Sequence, residues 1–238
     1  MNDEYAAPTY AGYRFPAEII AHPEWLYFRF ALSYRDVEEL LAERGVVVTY
    51  ETIRRWCRKF GQAYANALRR RRPRPGDKWH LDEVFISING EQHYLWRAID
   101  QEGTVLDILV QRRRDTAAAK KFFRRLLKDL QYVPRALITD KLASYGAAKR
   151  EVLPSVEHRQ HKRLNNRAEN SHQPTRERER RMRRFKSPGH AQRFLASYGP
   201  IASHFRPRRH RLTAEAYRAT RAERFAIWRA VTGTPAMA

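Results

Sequence analysis

Trp79-His80-Leu81-Asp82-Glu83-Val84-Phe85-Ile86-Ser87-Ile88, followed at once by Asn89-Gly90 and then by Gln92 to Ile99, decides how the chain is built. The first run is rich in aromatic and β-branched residues, which suit a pleated surface. Asn-Gly between two such runs signals a tight hairpin, because both residues tolerate the positive φ of a primed turn. A further turn at Asp100-Gln101-Glu102-Gly103 leads into Thr104 to Gln111, giving three antiparallel strands in succession. Asp115 or Thr116 then caps a helix to about Leu130, with Ala119, Phe122, Phe123, Leu126, Leu127 and Leu130 on its buried side. Pro134 closes the crossover, and Ala136-Leu137-Ile138-Thr139 is a short strand of the parallel, doubly buried kind. Ala148 to Pro154 reads as loop, and from Asn165 the chain turns helical and very basic. Three strands, a helix, a strand and then helices is an α/β order with a mixed sheet.

Working outward from this centre, the first 68 residues show helical periodicity. Ser33 is a good N-cap for a helix from Tyr34 to about Arg44, with Val37, Leu40 and Leu41 on one face. Gly45 ends it, Val46-Val47-Val48 reads as a buried turn, and Thr49 caps a second helix from Tyr50 to Phe60. Ile53, Trp56, Cys57 and Phe60 face inward there, leaving Arg54, Arg55, Arg58 and Lys59 outside. Two short helices joined at a glycine, the second with an arginine-rich outer face, follow the helix-turn-helix plan that places the second helix in a major groove. An ordinary helical bundle shows the same periodicity. The division expected is a helix-turn-helix domain over 1–68, a basic Pro-containing linker over 69–77, a sheet domain over 78–206 and a C-terminal helix over 207–238. That last helix, Thr213 to Val231, carries Tyr217, Phe225 and Trp228 to close a core or meet a second subunit.

The chain has 238 residues, of which 42% are hydrophobic and 12% aromatic, enough for a substantial core. Its 47 Lys and Arg against 26 Asp and Glu leave a net charge of +21. Self-repulsion on that scale points to a polyanionic partner, and its spread over several folded segments favours nucleic acid over a membrane surface. His158 to Lys186 alone holds eleven Lys and Arg against three Glu. No apolar run approaches the roughly 20 residues of a membrane span, and the acidic, discontinuous N-terminus is no secretory signal. The single cysteine, Cys57, excludes an internal disulfide and a multi-cysteine zinc finger. A cytoplasmic, nucleoid-associated protein is expected.

Three carboxylates stand where chemistry could use them. Asp82 lies inside the first strand and Asp140 ends the fourth, and a charge among apolar strand residues is costly unless it is paired or binds a cation. Glu169 opens the last basic helix, sharing a face with His172, Gln173 and Arg176 by spacing. Such a trio offers oxygen ligands to one or two Mg2+ (or Mn2+) ions, the arrangement that suits phosphodiester chemistry. The simpler alternative is that Asp82 pairs with a basic neighbour and Asp140 caps the next helix. Glu83 alternates to the opposite strand face, so it is not expected to serve the same site as Asp82. Tyr94 and Trp96 read as core. Lys141, beside Asp140, and Arg112 to Arg114 and Arg176 to Arg184 read as phosphate contacts, with His172 a candidate to orient phosphate or Glu169. His80 and His158 have no partners at zinc-ligand spacing.

The blocks Leu32-Ser33-Tyr34-Arg35-Asp36-Val37-Glu38-Glu39-Leu40-Leu41 and Tyr50-Glu51-Thr52-Ile53-Arg54-Arg55-Trp56 resemble the N-terminal helix-turn-helix of insertion-sequence-six family transposases. Asp82-Glu83 with Tyr94-Leu95-Trp96-Arg97-Ala98-Ile99-Asp100, then Thr139-Asp140-Lys141, is similar to that family's catalytic strands. Leu164-Asn165-Asn166-Arg167-Ala168-Glu169-Asn170-Ser171-His172 with Phe185-Lys186-Ser187 resembles its third-acid segment. The resemblance implies an RNase H-like fold with Asp82, Asp140 and Glu169 as the acidic triad. It also implies cleavage of double-stranded DNA at terminal inverted repeats, joining of the freed 3′ ends to target DNA, and action as a homodimer or higher homo-oligomer. A helix-turn-helix regulator without catalysis, or a nuclease without strand transfer, are the competing readings. Twenty-eight residues lie between Asp140 and Glu169, fewer than the family pattern carries, so Glu177 competes for the third position. Eight residues separate the two glutamates, about 12 Å of helix rise and faces offset by about 80°, so they cannot substitute for one another.

Overall fold

A computed structural model describes residues 8–161, 165–182, 184–207 and 209–235. These fall into two compact units, a helical one over 8–72 and 196–235 and a sheet-containing one over 73–195.

The helical unit begins with α1 (Ala17–Arg29), α2 (Tyr34–Ala42) and α3 (Tyr50–Arg71). Ser33 starts α2 through a reciprocal capping box: its hydroxyl accepts from the Asp36 amide at 3.1 Å, and its own amide donates to the Asp36 carboxylate at 2.8 Å. Thr49 caps α3 in the simpler way, accepting from the Thr52 amide. Ile53, Trp56, Cys57, Phe60, Tyr64, Ala65 and Leu68 make one buried stripe along α3. Two expectations are corrected here. Val47 is 83% exposed, and only Val48 of the three valines is buried. The second helix does not stop at Phe60, and Arg69 to Arg71 belong to it rather than to a linker. Arginine is a good helix former, cations suit a helix C-terminus, and Arg69 is tied to the Asn66 side chain and the Ala196 carbonyl. The helix breaks only at Arg72, which precedes Pro73 and is extended.

The sheet unit contains β1 (Lys78–Ile88), β2 (Glu91–Asp100), β3 (Val105–Gln111), α4 (Thr116–Leu130), β4 (Ala136–Thr139), α5 (Ala143–Val152) and β5 (Glu157–Gln160). After them come α6 (Asn166–Ser171), α7 (Gln173–Arg181) and α8 (Pro188–His204), the last shared with the helical unit from Ala196 onward. Strand order is β3-β2-β1-β4-β5, with the first three antiparallel and β4 and β5 parallel to β1. This is the RNase H-like mixed sheet expected from the sequence. Asn89 and Gly90 both take positive φ, and the hairpin they close pairs Ile88 with Glu91 through Trp79 with Asp100. On one face Trp79, Leu81, Trp96 and Ala98 pack with Phe122, Phe123 and Leu126 of α4 and Tyr145 and Ala148 of α5. The Gln192 side chain of α8 accepts from the Val110 amide and donates to the Ile108 carbonyl, satisfying the β3 edge.

Helix α5 runs into the stretch from Ala148 that reads as loop, and strand β5, which the sequence does not announce, follows it. The N-terminus of α5 has no side-chain cap, and β5 is Glu-His-Arg-Gln, without an apolar residue to mark it. Both form because neighbours complete them: Tyr145 and Ala148 are buried in the core, and β5 borrows its ladder from β4. The C-terminal helix α9 (Ala214–Thr232) is capped by Thr213 and ends at Gly233 in the left-handed region. It closes the core of the helical unit. Trp228 meets Tyr64 edge-on at 5.3 Å between ring centroids, and the Tyr10 hydroxyl donates to the Thr232 carbonyl at 2.6 Å. The expected sheet domain over 78–206 compares with a compact sheet unit over 73–195.

Strand β4 pairs with β1 only from Lys78 to His80; past that point, among the described residues, this edge of β1 meets no further strand and only a single bridge, Ile88 with Phe185. Asn165, fully buried, donates its side-chain amide to the Leu81 carbonyl there at 2.7 Å. Asn165→Ala leaves that carbonyl unsatisfied and should cost about 1–3 kcal/mol. A lowered urea midpoint with an unchanged m-value would show it; an unchanged midpoint would mean that water replaces the amide.

Candidate active site

The free edge of β1 opens a cavity of about 440 Å³. Asp82, Glu83, Val84 and Phe85 line it from β1, Tyr94 from β2, Arg114 from the segment before α4 and Asp140 from the end of β4. Glu169 and Asn170 of α6, with Gln173 and Arg176 of α7, form the facing wall. Asp82, Asp140 and Glu169 thus line one cavity; Glu177 is exposed and outside its lining.

Asp82 and Glu83 do leave opposite faces of β1, as alternation requires. Asp82 lies 3.5 Å from the His172 ring, whereas Glu83 accepts the Tyr145 hydroxyl of α5 at 2.5 Å and Arg114 Nε at 2.6 Å. The expectation that they cannot share a site is corrected, because an unpaired strand edge exposes both faces to the same opening. Arg114 links the walls further: its other guanidinium nitrogen is 3.6 Å from Asp140. Asp140 in turn accepts from the Leu142 amide at 2.9 Å, which fixes the turn between β4 and α5.

The helix carrying Glu169 is not continuous. It breaks at His172, and the basic segment resumes as α7. Arg97 holds both sides of that break, donating to the Ser171 carbonyl and to the Thr175 hydroxyl. His172 is 1% exposed. It cannot reach DNA from there, and the expected DNA contact is corrected: its contact is with Asp82. Burial first, then Arg97 and Arg176, drive its pKa well below the usual range, so it is neutral beside Asp82. Arg178 is likewise buried, stacked over the Phe194 ring, rather than free to grip phosphate. Glu179 accepts from the Ser87 amide at 3.2 Å, and Arg183, in the run read as phosphate contacts, lies outside the described residues.

Arg54, Arg55, Arg58 and Lys59 are exposed on α3, the first two beside Glu51 at 3.1 and 3.6 Å. Lys141 is exposed next to Asp140, and Arg176 is exposed in the cavity wall. Tyr94 reaches the cavity, whereas Trp96 is core as expected. Sequence reasoning missed Arg97 and Tyr145, set Glu83 aside and read Arg114 only as a phosphate contact. A signal for Arg97 existed: the two-residue Asn89-Gly90 turn fixes a register that sets Arg97 directly opposite Asp82.

Asp82 feels the rest of the site. It is 7% exposed, and burial pushes its pKa up to about 7, helped by the negative charges of Glu83, Asp140 and Glu169. Burial also raises Glu83, against the pull of Tyr145 and Arg114. A hard, all-oxygen donor set under mutual repulsion suits a divalent cation. Among the described residues no group of three or more His, Cys, Asp or Glu side chains lies close enough to hold a metal ion as it stands. No helix among the described residues is long and apolar enough to cross a membrane.

Comparison with known proteins agrees with this geometry. Residues 76–208 match a family model described as a DDE domain, of the IS240 transposase type. Over 164 residues the chain is 35% identical to the transposase for insertion sequence-like element IS431mec of Staphylococcus aureus, covering 67% of this chain and 73% of that one. The transposase for insertion sequence element IS257 in transposon Tn4003, also from Staphylococcus aureus, matches with the same identity and coverage. Among solved structures, the catalytic domain of Mos1 mariner transposase aligns with 74% of this chain and 93% of its own, at a TM-score of 0.42 and 16% identity. The family match makes residues 76–208 a DDE domain. The chain belongs to the insertion-sequence-six family of DDE transposases.

The raised pKa of Asp82 has a consequence for stability. Between the ordinary aspartate value near 4 and about 7 the folded protein keeps a proton that the unfolded chain has lost. Stability therefore falls as pH rises through this window, and the full penalty stands above it. Without divalent metal, Asp82→Asn should stabilise the fold at pH 8 by on the order of 2–4 kcal/mol, read as a higher thermal midpoint, with the gain vanishing near pH 4. A gain that is equal at both pH values would show that charge is not its source.

Proposed function

We propose that Asp82, Asp140 and Glu169 are the catalytic triad of this transposase, with Mg2+ or Mn2+ held between them. The observation that supports this best is the electrostatic coupling of Asp82 to both other acids across one cavity. Two bound ions there would activate water or a 3′ hydroxyl and stabilise the leaving oxygen. The chain's own groups set up that chemistry. Arg97 fixes the α6–α7 break that presents Glu169, and neutral His172 confines Asp82 without neutralising it. Arg114 keeps Asp140 in line until a stronger cation arrives, and Arg176 and Gln173 are placed to receive a phosphate across from the strand.

In this reading α2 and α3 form the helix-turn-helix domain, and Arg54, Arg55, Arg58 and Lys59 meet double-stranded DNA at the element's terminal inverted repeats. Lys141 and Arg176 grip the backbone at the cut. The freed 3′ ends are then joined to target DNA by a homodimer or larger homo-oligomer, in the cytoplasm and on the nucleoid. Incubation with terminal-repeat DNA and magnesium, followed by resolution of nicked and joined products, tests the scheme.

Asp82→Asn and Glu169→Gln should each lower cleavage by several orders of magnitude while DNA binding persists. Glu177→Gln should leave most of it. The opposite ranking of the two glutamate variants would transfer the third role to Glu177. For α3, Arg54→Ala or Arg55→Ala should weaken binding to terminal-repeat DNA by about 1–3 kcal/mol more than binding to unrelated duplex. Equal losses on both DNAs would reduce α3 to a backbone contact.

A further inference from the structure

The aromatic packing of the sheet unit runs out of the core and into the cavity. Trp96 is buried against Tyr145 and Phe122, at 5.4 and 6.4 Å between ring centroids. Two residues along the same strand face, past Glu83, the covering helices end. Phe85 stands there 57% exposed, with Tyr94 directly opposite it in the hairpin and the two rings 5.1 Å apart. Among the described residues of this unit, Val133 is the other exposed large hydrophobic, and it is not in the cavity. A lone exposed phenylalanine is unremarkable. A pair of rings in the cavity of the three acids, with guanidinium groups from Arg114 and Arg176 in the same lining, is a combination with a chemical meaning.

Guanidinium groups take phosphate, and flat apolar rings take a flat π-face; a nucleotide offers both. A base inside a duplex is already stacked on its neighbours, so only one that has left the stack can lie on Phe85. We infer that Phe85 and Tyr94 form a stacking subsite for one unstacked nucleobase of the DNA end, adjoining the phosphate held by the acidic site. The inference rests on the proposed role of that site. Because every base has a π-face, the subsite tolerates any sequence and selects for a frayed or unpaired end. The Tyr94 hydroxyl accepts from the Gln92 side chain at 3.3 Å.

The test is a cycle that removes each partner of the proposed contact in turn. The full chain, as wild type and as Phe85→Ala and Phe85→Tyr, is titrated by fluorescence anisotropy in EDTA against terminal-repeat DNA. An abasic analogue is stepped through the nucleotides flanking the cleavage point. At one position the abasic analogue should weaken wild-type binding roughly tenfold, and Phe85→Ala should weaken binding to intact DNA by a similar factor. The two losses should not add, and Phe85→Tyr should restore the wild-type pattern. Losses that multiply at every position, or an absence of any sensitive position, would overturn the subsite. So would a change in oligomer size in Phe85→Ala with uniform affinities, which would make Phe85 a contact between protein chains. Since EDTA excludes cleavage, this result is independent of the acids: a failed triad shows as cleavage by Asp82→Asn, and a failed subsite as additive losses.

Discussion

Strand β1 is eleven residues long and its parallel neighbour β4 only four, and the site exists because of that mismatch. Where β4 ends, backbone and side chains on one edge of β1 are left to meet something other than a strand. Asn165 takes up the first carbonyl, Asp140 turns away into α5, and the α6–α7 segment comes in from the opposite side. In a fully paired strand, Asp82 and Glu83 would be separated by the sheet itself. At an open edge they line one cavity, and three elements distant in sequence bring their carboxylates to it. The buried Trp79, Leu81, Phe122, Phe123 and Tyr145 hold the sheet rigid behind that opening.

Collecting anions in one place carries an electrostatic cost, and the surrounding cations are distributed so as not to remove it. Arg97 lies opposite Asp82 in the hairpin but spends its donors on Ser171 and Thr175. Arg114 is committed first to Glu83, which Tyr145 also holds, and reaches Asp140 only at 3.6 Å. His172, the closest basic group to Asp82, is kept neutral by burial and by the two arginines near it. Asp82 therefore remains under-compensated, which is what its raised pKa records. A site relieved by its own arginines would gain stability and lose its demand for a divalent ion.

Much of this was legible in the residues. Asn89-Gly90 fixes the hairpin and its register, the 3.6-residue stripe of Phe122, Phe123 and Leu126 marks α4, and Ser33 and Thr49 mark two helix starts. Asp82, Asp140 and Glu169 could be nominated because each sits at a strand interior, a strand end or a helix start with no obvious local reason. What stayed hidden depended on partners remote in sequence. Strand β5 has no apolar pattern of its own, α5 has no cap, and Arg69 to Arg71 continue a helix that their composition alone suggested would end. His172 was expected to meet DNA because helix spacing tells which residues share a face and not which of them a remote residue, here Asp82, will cover.

The net charge of +21 and the anionic cavity are parts of one device. A long-range basic field raises the local concentration of DNA and speeds encounter, but it cannot place a particular phosphate. Placement needs a short-range feature of opposite sign, because phosphate is repelled from the four carboxylates until a cation stands between them. The exposed Arg176 on one wall and Arg114 on the other mark where the backbone can rest without entering the acids' field directly. In the proposed scheme the basic surface governs how fast DNA arrives, and the acids of the cavity govern whether chemistry follows. The distinction matters because removing a surface arginine and removing Asp82 act on different steps: the first changes the salt dependence of binding, and the second changes the reaction after binding is complete.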